Sequence, residues 1–530
     1  MPKVLITDKI NKAAGDILKG VAEVEFIETL SEDDLAKKIV DYDALMIRSQ
    51  TKVTPKILQA AKNLKIVGRA GVGVDNVDID EATKAGVIVV NSPDGNTTAA
   101  AEHTVALMLS MARHIPVAAT STKEGKWERS KFTGIELFKK TLGIIGLGKI
   151  GSRVATAALG LGMNVVVYDP FASQELVENI GAKSVKTLDE LWGICDFITV
   201  HVPKTKDTLN LINKDTIAKM KDGVRLINCA RGGIINEQDL KDAIESGKVA
   251  AAAIDVYTAE PISEDNPLLA CCGDLTLTPH LGASTAEAQI NVALDVAEQI
   301  RDVFLGANAR SAVNIPALKA SILEPVKEYM PLAENLGALV GQIAKGAITA
   351  VKIAARGTLS SLDISPLKVA ILKGLLSQSL DNVNYVNAPI YAKNRGIDIS
   401  ETKSEQTCSY LGLLSVKVVT EEGEWVVSGA LGADGASRIV KINDYDVNIE
   451  PDEHILLTPH VNKPGMVAAV ATVLGNKGIN INMMQVARKG KEAKGESLMI
   501  MNTDVSVDDT ALKEIKKIDG ILSASFVSLK

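Results

Sequence analysis

Arg231, Glu260 and His280 each stand just past an apolar run of the chain. Arg231 follows VRLINCA and precedes Gly-Gly, Glu260 lies in DVYTAEP after AAAIDV, and His280 ends LTLTPH. Their chemistry is complementary. A guanidinium can hold a carboxylate through a forked pair of hydrogen bonds. An imidazole can take the proton of a hydroxyl while hydride leaves the carbon. A carboxylate beside that imidazole favours its charged form. Taken singly, a surface role suits each residue better. Together, at the carboxyl ends of parallel strands where open α/β sheets bind ligands, they form a set suited to a dehydrogenase.

A dehydrogenase needs a hydride acceptor, and GLGKIG (residues 146–151) offers a place for one. A lone GxGxxG is weak evidence in a chain with 41 glycines. Here the context fits. TLGIIG precedes it as a strand, SRVATAALGLG follows as an amphipathic helix, and Asp169 ends the next strand, 18 residues after Gly151. Gly146 permits a tight turn, Gly148 lets backbone approach a pyrophosphate, and Gly151 lets helix and strand pack closely. Lys149 and Ile150 open the helix, whose N-terminus meets phosphate. Asp169 binds a ribose 2′-hydroxyl and repels a 2′-phosphate. The following PFAS has no arginine, so NAD is expected rather than NADP. A second glycine turn, GRAGVGVDN, has Asn76 in the third glycine position and is no dinucleotide fingerprint. Its N–H groups could face an anion, or the turn could be purely structural.

These residues need strands and helices to position them. KVLIT, ALMIR, KIVG and VIVVN (3–7, 44–48, 65–68, 87–91) predict a first parallel sheet, with helices at 31–40 and 54–62. Residues 97–113 predict a long helix capped by Thr97 or Thr98. Runs at 141–146, 164–169, 197–202, 224–230, 251–256 and 275–280 predict a doubly wound sheet, followed by a helix at 284–305. Beyond 317 the texture changes. A helical stretch (322–349) leads into two hairpins, LLSVKVVT-EEGE-WVVSGAL and RIVKIND-YD-VNIE. From 453 the order reads βαββαβ, a ferredoxin-like module.

A chain of 530 residues is too long for one core and predicts several domains. With 3% aromatics and a net charge of −7, neither nucleic acid nor an anionic membrane is expected as a partner. Cys195, Cys229, Cys271, Cys272 and Cys408 lack CxxC spacing and read as reduced thiols in a cytoplasmic protein, without a metal site. No signal peptide or apolar run of spanning length is evident.

GLGKIG, NCARGGIINEQDL, DVYTAEP and TPHLGAST resemble the NAD-dependent D-2-hydroxyacid dehydrogenases over roughly residues 1–315. The resemblance implies that Arg231 binds substrate, that Glu260 tunes the imidazole, and that His280 is the acid/base. It also implies that Val202, Pro203, Cys229, Ala230, Arg231, Asp255, His280, Gly282 and Ala283 line the cofactor. A Rossmann-type domain (97–282) would be inserted in a flavodoxin-like substrate domain (1–96 and 283–316). Arg48 in MIRSQTKV, Arg69 and Gly71 in GRAGVGVDN, Asn96 in SPDGNTT and Arg129 in ERSKF match substrate positions of the phosphoglycerate dehydrogenase branch, with Arg129 reaching a neighbouring subunit. Cations suit a substrate that carries both carboxylate and phosphate, here 3-phosphoglycerate.

LTPH occurs a second time, at 457–460. HVNKPGMVAAVATVLGNKGININMM resembles an ACT domain (453–530), which implies that His460, Asn462 and Asn480 hold an L-serine effector. Asn side chains offer both a donor and an acceptor to a zwitterion. A structural βα corner is the alternative reading. Residues 317–452 resemble the α+β intervening domain of the long form. The family's pairing through cofactor domains implies a homodimer or homotetramer. Two rivals stay open: a dehydrogenase of another 2-hydroxy acid, such as one that reduces 2-oxoglutarate, and an NADH-sensing corepressor-like protein.

Overall fold

A computed structural model describes residues 1–307, 309–315, 320–380, 382–406, 409–489 and 495–529. Cys408 lies outside the described residues. Short apolar segments bounded by turns build four sheets.

The first sheet is wholly parallel: β1 (Lys3–Ile6), β2 (Glu23–Phe26), β3 (Ala44–Ile47), β4 (Ile66–Arg69) and β5 (Ile88–Asn91), in the order β2-β1-β3-β4-β5. Sequence reading missed β2. In EVEF acids alternate with apolar residues, the pattern of an edge strand rather than a buried run. The helix Ala286–Phe304 returns to this sheet and packs Val292, Val296 and Ile300 into its core.

The second sheet has β6 (Thr141–Ile145), β7 (Asn164–Tyr168), β8 (Lys183–Ser184), β9 (Phe197–Val200), β10 (Val224–Asn228), β11 (Val249–Ile254) and β12 (Leu275–Leu277). Its order, β12-β11-β10-β9-β6-β7-β8, reverses direction between β6 and β9. Crevices for ligands open at such a switch point. The helix Thr97–Ala112 joins the first two sheets. Its cap is Asn96 rather than the expected Thr97 or Thr98, because Thr97 is already buried in the first turn, and the Asn96 side chain makes no capping bond.

The third sheet has β13 (Ile348–Gly357), β14 (Asp398–Ser404), β15 (Gly412–Thr420), β16 (Gly423–Leu431), β17 (Ser437–Ile442) and β18 (Tyr445–Ile449), in the order β14-β13-β15-β16-β17-β18. Two expectations need correction here. The helical stretch 322–349 is broken: a 3-10 turn, Glu324–Tyr329, precedes the helix Met330–Ile343. That helix stops before Gly346, whose φ of +83° turns the chain into β13. The second hairpin turns at Asn443-Asp444, with Asn443 at φ 49°, and not at Tyr445-Asp446. Tyr445 is buried in β18, so it cannot sit in an exposed turn.

The fourth sheet pairs β19 (His454–Val461), β20 (Ile481–Arg488), β21 (Glu496–Thr503) and β22 (Ser525–Ser528) in the antiparallel order β20-β21-β19-β22. Helices Met466–Asn476 and Asp509–Lys516 pack on one face. Ile455, Leu457, Leu498, Ile500 and Val527 enter the same cluster as Leu332, Leu336 and Leu339 of the helix Met330–Ile343. The Gln342 amide donates to Ser528 O (2.8 Å) and accepts from Ser528 N (3.0 Å). No helix among the described residues is long and apolar enough to cross a membrane.

Candidate active site

Gly146, at φ +95°, ends β6; a Cβ there would lie 2.5 Å from His201 O. A Cβ on Gly151 would lie 2.1 Å from Gly146 O. Both positions are therefore closed to side chains by the chain itself. Gly148 differs. A Cβ there would meet nothing within 4 Å, so open space lies above the turn where a pyrophosphate must approach. The helix Lys149–Gly160 starts at that point with Gly148 as its cap and Ile150 in its first turn. Lys149 pairs with Asp94.

Asp169 follows β7. Its carboxylate accepts from Leu147 N (2.7 Å), Phe171 N (2.8 Å) and Ala172 N (3.2 Å). The acid thus stands at the fingerprint and helps to fix its shape. Val202 and Pro203 follow β9, and Val202 packs beside Gly146. Cys229 and Ala230 follow β10. Burial pushes the Cys229 thiol up to about 12, which leaves it protonated at neutral pH. These groups follow the carboxyl ends of β6, β7, β9 and β10 at the switch point, where a dinucleotide-binding turn is expected.

His280 and Glu260 meet at the end of β12, with Nδ1 of the imidazole 2.6 Å from Oε2 of Glu260. Glu260 Oε1 accepts from Tyr257 N at 3.0 Å. Burial raises the Glu260 pKa, but the bonds from His280 and Tyr257 outweigh it, so the carboxyl lies below its ordinary range. The loop of His280 is anchored by Asp255, which is fully buried and accepts from Thr278 Oγ1 (2.6 Å), Leu281 N (2.7 Å) and Gly282 N (2.9 Å).

Three guanidinium groups face this pair. Arg48, Arg69 and Gly71 line a cleft with Glu260 and His280. An adjoining hollow brings Arg69, Asn96 and Arg231 to the same two residues, with Ala283 beside them. Burial, followed by the charges of Arg231 and Arg48, pushes Arg69 down to about 10. Arg48 is also lowered, by burial. Nε of Arg69 and Oδ1 of Asn96 are buried without a hydrogen-bond partner. The second glycine turn explains how the guanidiniums fit. A Cβ on Gly71 would lie 1.7 Å from Nη1 of Arg69, and one on Gly73 would lie 2.2 Å from Nη2 of Arg231.

The sequence reading missed three members of this neighbourhood. Asp75 pairs with Arg231 (3.3 Å), Lys204 lines the hollow, and His103 reaches Asp255 (3.1 Å). Only Lys204 had a signal, its place after Pro203, and that is slight. Arg129 is exposed on the turn Arg129–Phe132 and is not among the residues of either cleft. In the C-terminal module, His460 is buried with Nδ1 3.0 Å from Thr458 O, Asn462 is half-buried and Asn480 is exposed. Among the described residues no group of three His, Cys, Asp or Glu side chains could hold a metal.

The architecture has known counterparts. Residues 105–282 match the model of the D-isomer specific 2-hydroxyacid dehydrogenase NAD binding domain. Residues 325–443 match the D-3-phosphoglycerate dehydrogenase intervening domain, and 454–520 the ACT domain. The chain is 50% identical to a D-3-phosphoglycerate dehydrogenase of Synechocystis sp., over 100% of its own length and 95% of the relative's. It is 46% identical to one from Archaeoglobus fulgidus, over 99% and 100% of the two chains. The chain belongs to the D-3-phosphoglycerate dehydrogenase family. Among solved structures it is similar to the D-lactate dehydrogenase of Escherichia coli, with 27% identity and a TM-score of 0.53 over 59% of this chain and 99% of that one. This D-3-phosphoglycerate dehydrogenase family member is therefore an NAD-dependent dehydrogenase. Its NAD-binding domain is followed by an intervening and an ACT domain, and the ACT module indicates binding of a small-molecule effector.

Proposed function

We propose that this chain oxidises 3-phospho-D-glycerate to 3-phosphohydroxypyruvate, the step that leads toward L-serine. The observation that carries the reading is the cluster of Arg48, Arg69 and Arg231 facing the His280–Glu260 pair beside a dinucleotide turn. Arg231 clamps the carboxylate, and Arg48 and Arg69 hold the phosphate. Nε2 of His280 accepts the C2 hydroxyl proton, while Glu260 on Nδ1 orients the ring and favours the imidazolium that results. Bound NAD⁺ supplies the nicotinamide ring that takes hydride from C2. Asp169 selects for the unphosphorylated ribose, and Asn96 lines the substrate hollow beside Arg231.

The ACT module takes L-serine through His460, Asn462 and Asn480. Exposed Ile115, Val117, Trp127 and Phe138 on the cofactor domain, each at least half exposed, suit a face covered by a second copy, so the working unit is a homodimer or homotetramer. Such pairing would let Arg129 act across the interface.

The test is NAD⁺ reduction with 3-phosphoglycerate, D-lactate and D-2-hydroxyglutarate, with and without L-serine. Preference for the phosphorylated acid supports the reading. Preference for an unphosphorylated acid, or binding of NADH without turnover, rejects it.

A further inference from the structure

We infer that His103 is a positioning residue for His280, acting through the buried carboxylate of Asp255. The inference rests on the proposed role of His280 as acid/base.

Asp255 is the main anchor of the loop that carries His280, which Tyr257 Oη also holds through Thr278 O (3.0 Å). Asp255 O accepts from His280 N (2.9 Å), and the Asp255 carboxylate accepts from Leu281 N, Gly282 N and Thr278 Oγ1. His280 needs that grip, because it sits at φ +54°, a left-handed conformation uncommon outside glycine. The grip depends on an ionised carboxylate that is wholly buried. A buried charge has to be fully hydrogen-bonded to persist.

His103 provides the remaining bond, with Nε2 3.1 Å from Asp255 Oδ1 and 3.4 Å from Thr278 Oγ1. A carboxylate can only accept, so Nε2 carries the hydrogen. Burial raises the Asp255 pKa, yet the bonds from His103 and Thr278 reverse that and hold it below its ordinary range. Thr278, Leu281 and Gly282 belong to the loop being positioned. His103 comes from elsewhere, the helix Thr97–Ala112, whose cap Asn96 lines the substrate hollow. It is not among the residues that line either cleft. One helix thus presents Asn96 to the substrate and, about two turns on, fixes the anchor of the imidazole.

The test compares His103→Leu with His103→Gln in the full chain. Leu fills the space without a donor; the Gln amide can still donate to Asp255. Expected is a fall in kcat of about 10- to 100-fold for H103L, the scale of a displacement of about 1 Å in a reacting group. The Kd for NAD should move less than about threefold, as the pyrophosphate and ribose contacts lie elsewhere. H103Q should recover most of the loss. Parent-like kcat in H103L overturns the inference, and so does equal impairment of H103L and H103Q, which would mark a packing role. If H103L does not fold, His103→Asn, with an amide too short to reach Asp255, takes its place in the same comparison. His280→Ala is measured alongside. Near-parent turnover there rejects the role of His280 itself; collapse there with an unaffected H103L rejects only the role of His103.

Discussion

Nδ1 of His280 lies 2.6 Å from Oε2 of Glu260, and the same carboxylate receives Tyr257 N on its other oxygen. The imidazole is thereby held in one tautomer, with Nε2 left for substrate. Replacing His280 with Ala should lower turnover by about 10²–10⁴-fold, the usual worth of a positioned acid/base. NAD affinity, read by fluorescence titration, should hardly change. A folded variant with near-normal turnover would remove His280 from the mechanism.

Glu260→Gln keeps the shape of the pair and removes the charge. The ring loses the anion that orients it and stabilises the imidazolium formed in the reaction, so kcat/KM should fall. A stability effect accompanies it. The native Glu260 pKa lies below its ordinary 4.5, so its contribution is complete above that value and is lost as pH falls through the native pKa. Denaturant melts should therefore show E260Q losing less stability than the parent on acidification from neutral pH. Parent-like kcat/KM in E260Q would count against the pairing.

The crowding of Arg48, Arg69 and Arg231 predicts an anion effect on the chain without substrate. Inorganic phosphate should raise Tm, because it offsets the burial and the neighbouring charges that depress Arg69. At a hundred times its Kd a ligand stabilises by about 2.7 kcal/mol. Arg69→Met should abolish that gain, raise KM for the phosphorylated substrate, and leave Tm without phosphate no lower than the parent's. A phosphate effect that survives in R69M would place the anion elsewhere.

Asp169→Ala should weaken NAD and narrow the preference over NADP, since both a ribose partner and a repulsive charge go. Asp169 also receives Leu147 N of the fingerprint. The Kd for NAD should therefore rise by about tenfold or more, beyond the loss of one ribose bond. Steady-state assays with the two cofactors decide this, and an unchanged ratio would assign cofactor choice to another group.

In the ACT module the three residues should behave differently. Asn480 is exposed, so Asn480→Ala should weaken L-serine binding at unchanged Tm. Asn462→Ala should weaken it likewise. His460 is buried against Thr458 O, and His460→Ala should lower both serine affinity and Tm. Turnover without serine should stay near the parent value in all three. A coupling of about 1–3 kcal/mol is typical between such sites. Titration calorimetry on the full chain measures it, and no heat at millimolar serine would reject the effector role.

Much of this was legible in the residues, for a physical reason. Arg231 and Glu260 follow buried parallel strands, which write themselves as apolar runs, whereas His280 follows the short edge strand β12, where Leu and Thr alternate. The fingerprint was legible because Gly146 turns the chain at φ +95° and Gly151 packs against Gly146 O within the same βα turn. What escaped depends on contacts between distant segments. Asp75 meets Arg231 across 156 positions, and His103 meets Asp255 across 152. Neither has a local pattern. The edge strand β2 hid behind its acids, and the turn at Asn443 hid because Tyr445 looks like a turn residue until its burial is known.

The two C-terminal sheets share one apolar cluster and are clasped at Gln342 and Ser528. The count of domains therefore exceeds the count of melting units. Excising residues 453–530 would wet Ile455, Leu457, Leu498, Ile500 and Val527 together. The fragment should aggregate or pair with itself rather than report the properties of the parent. An effector bound at the last sheet would therefore act on a module packed directly against the helix Met330–Ile343.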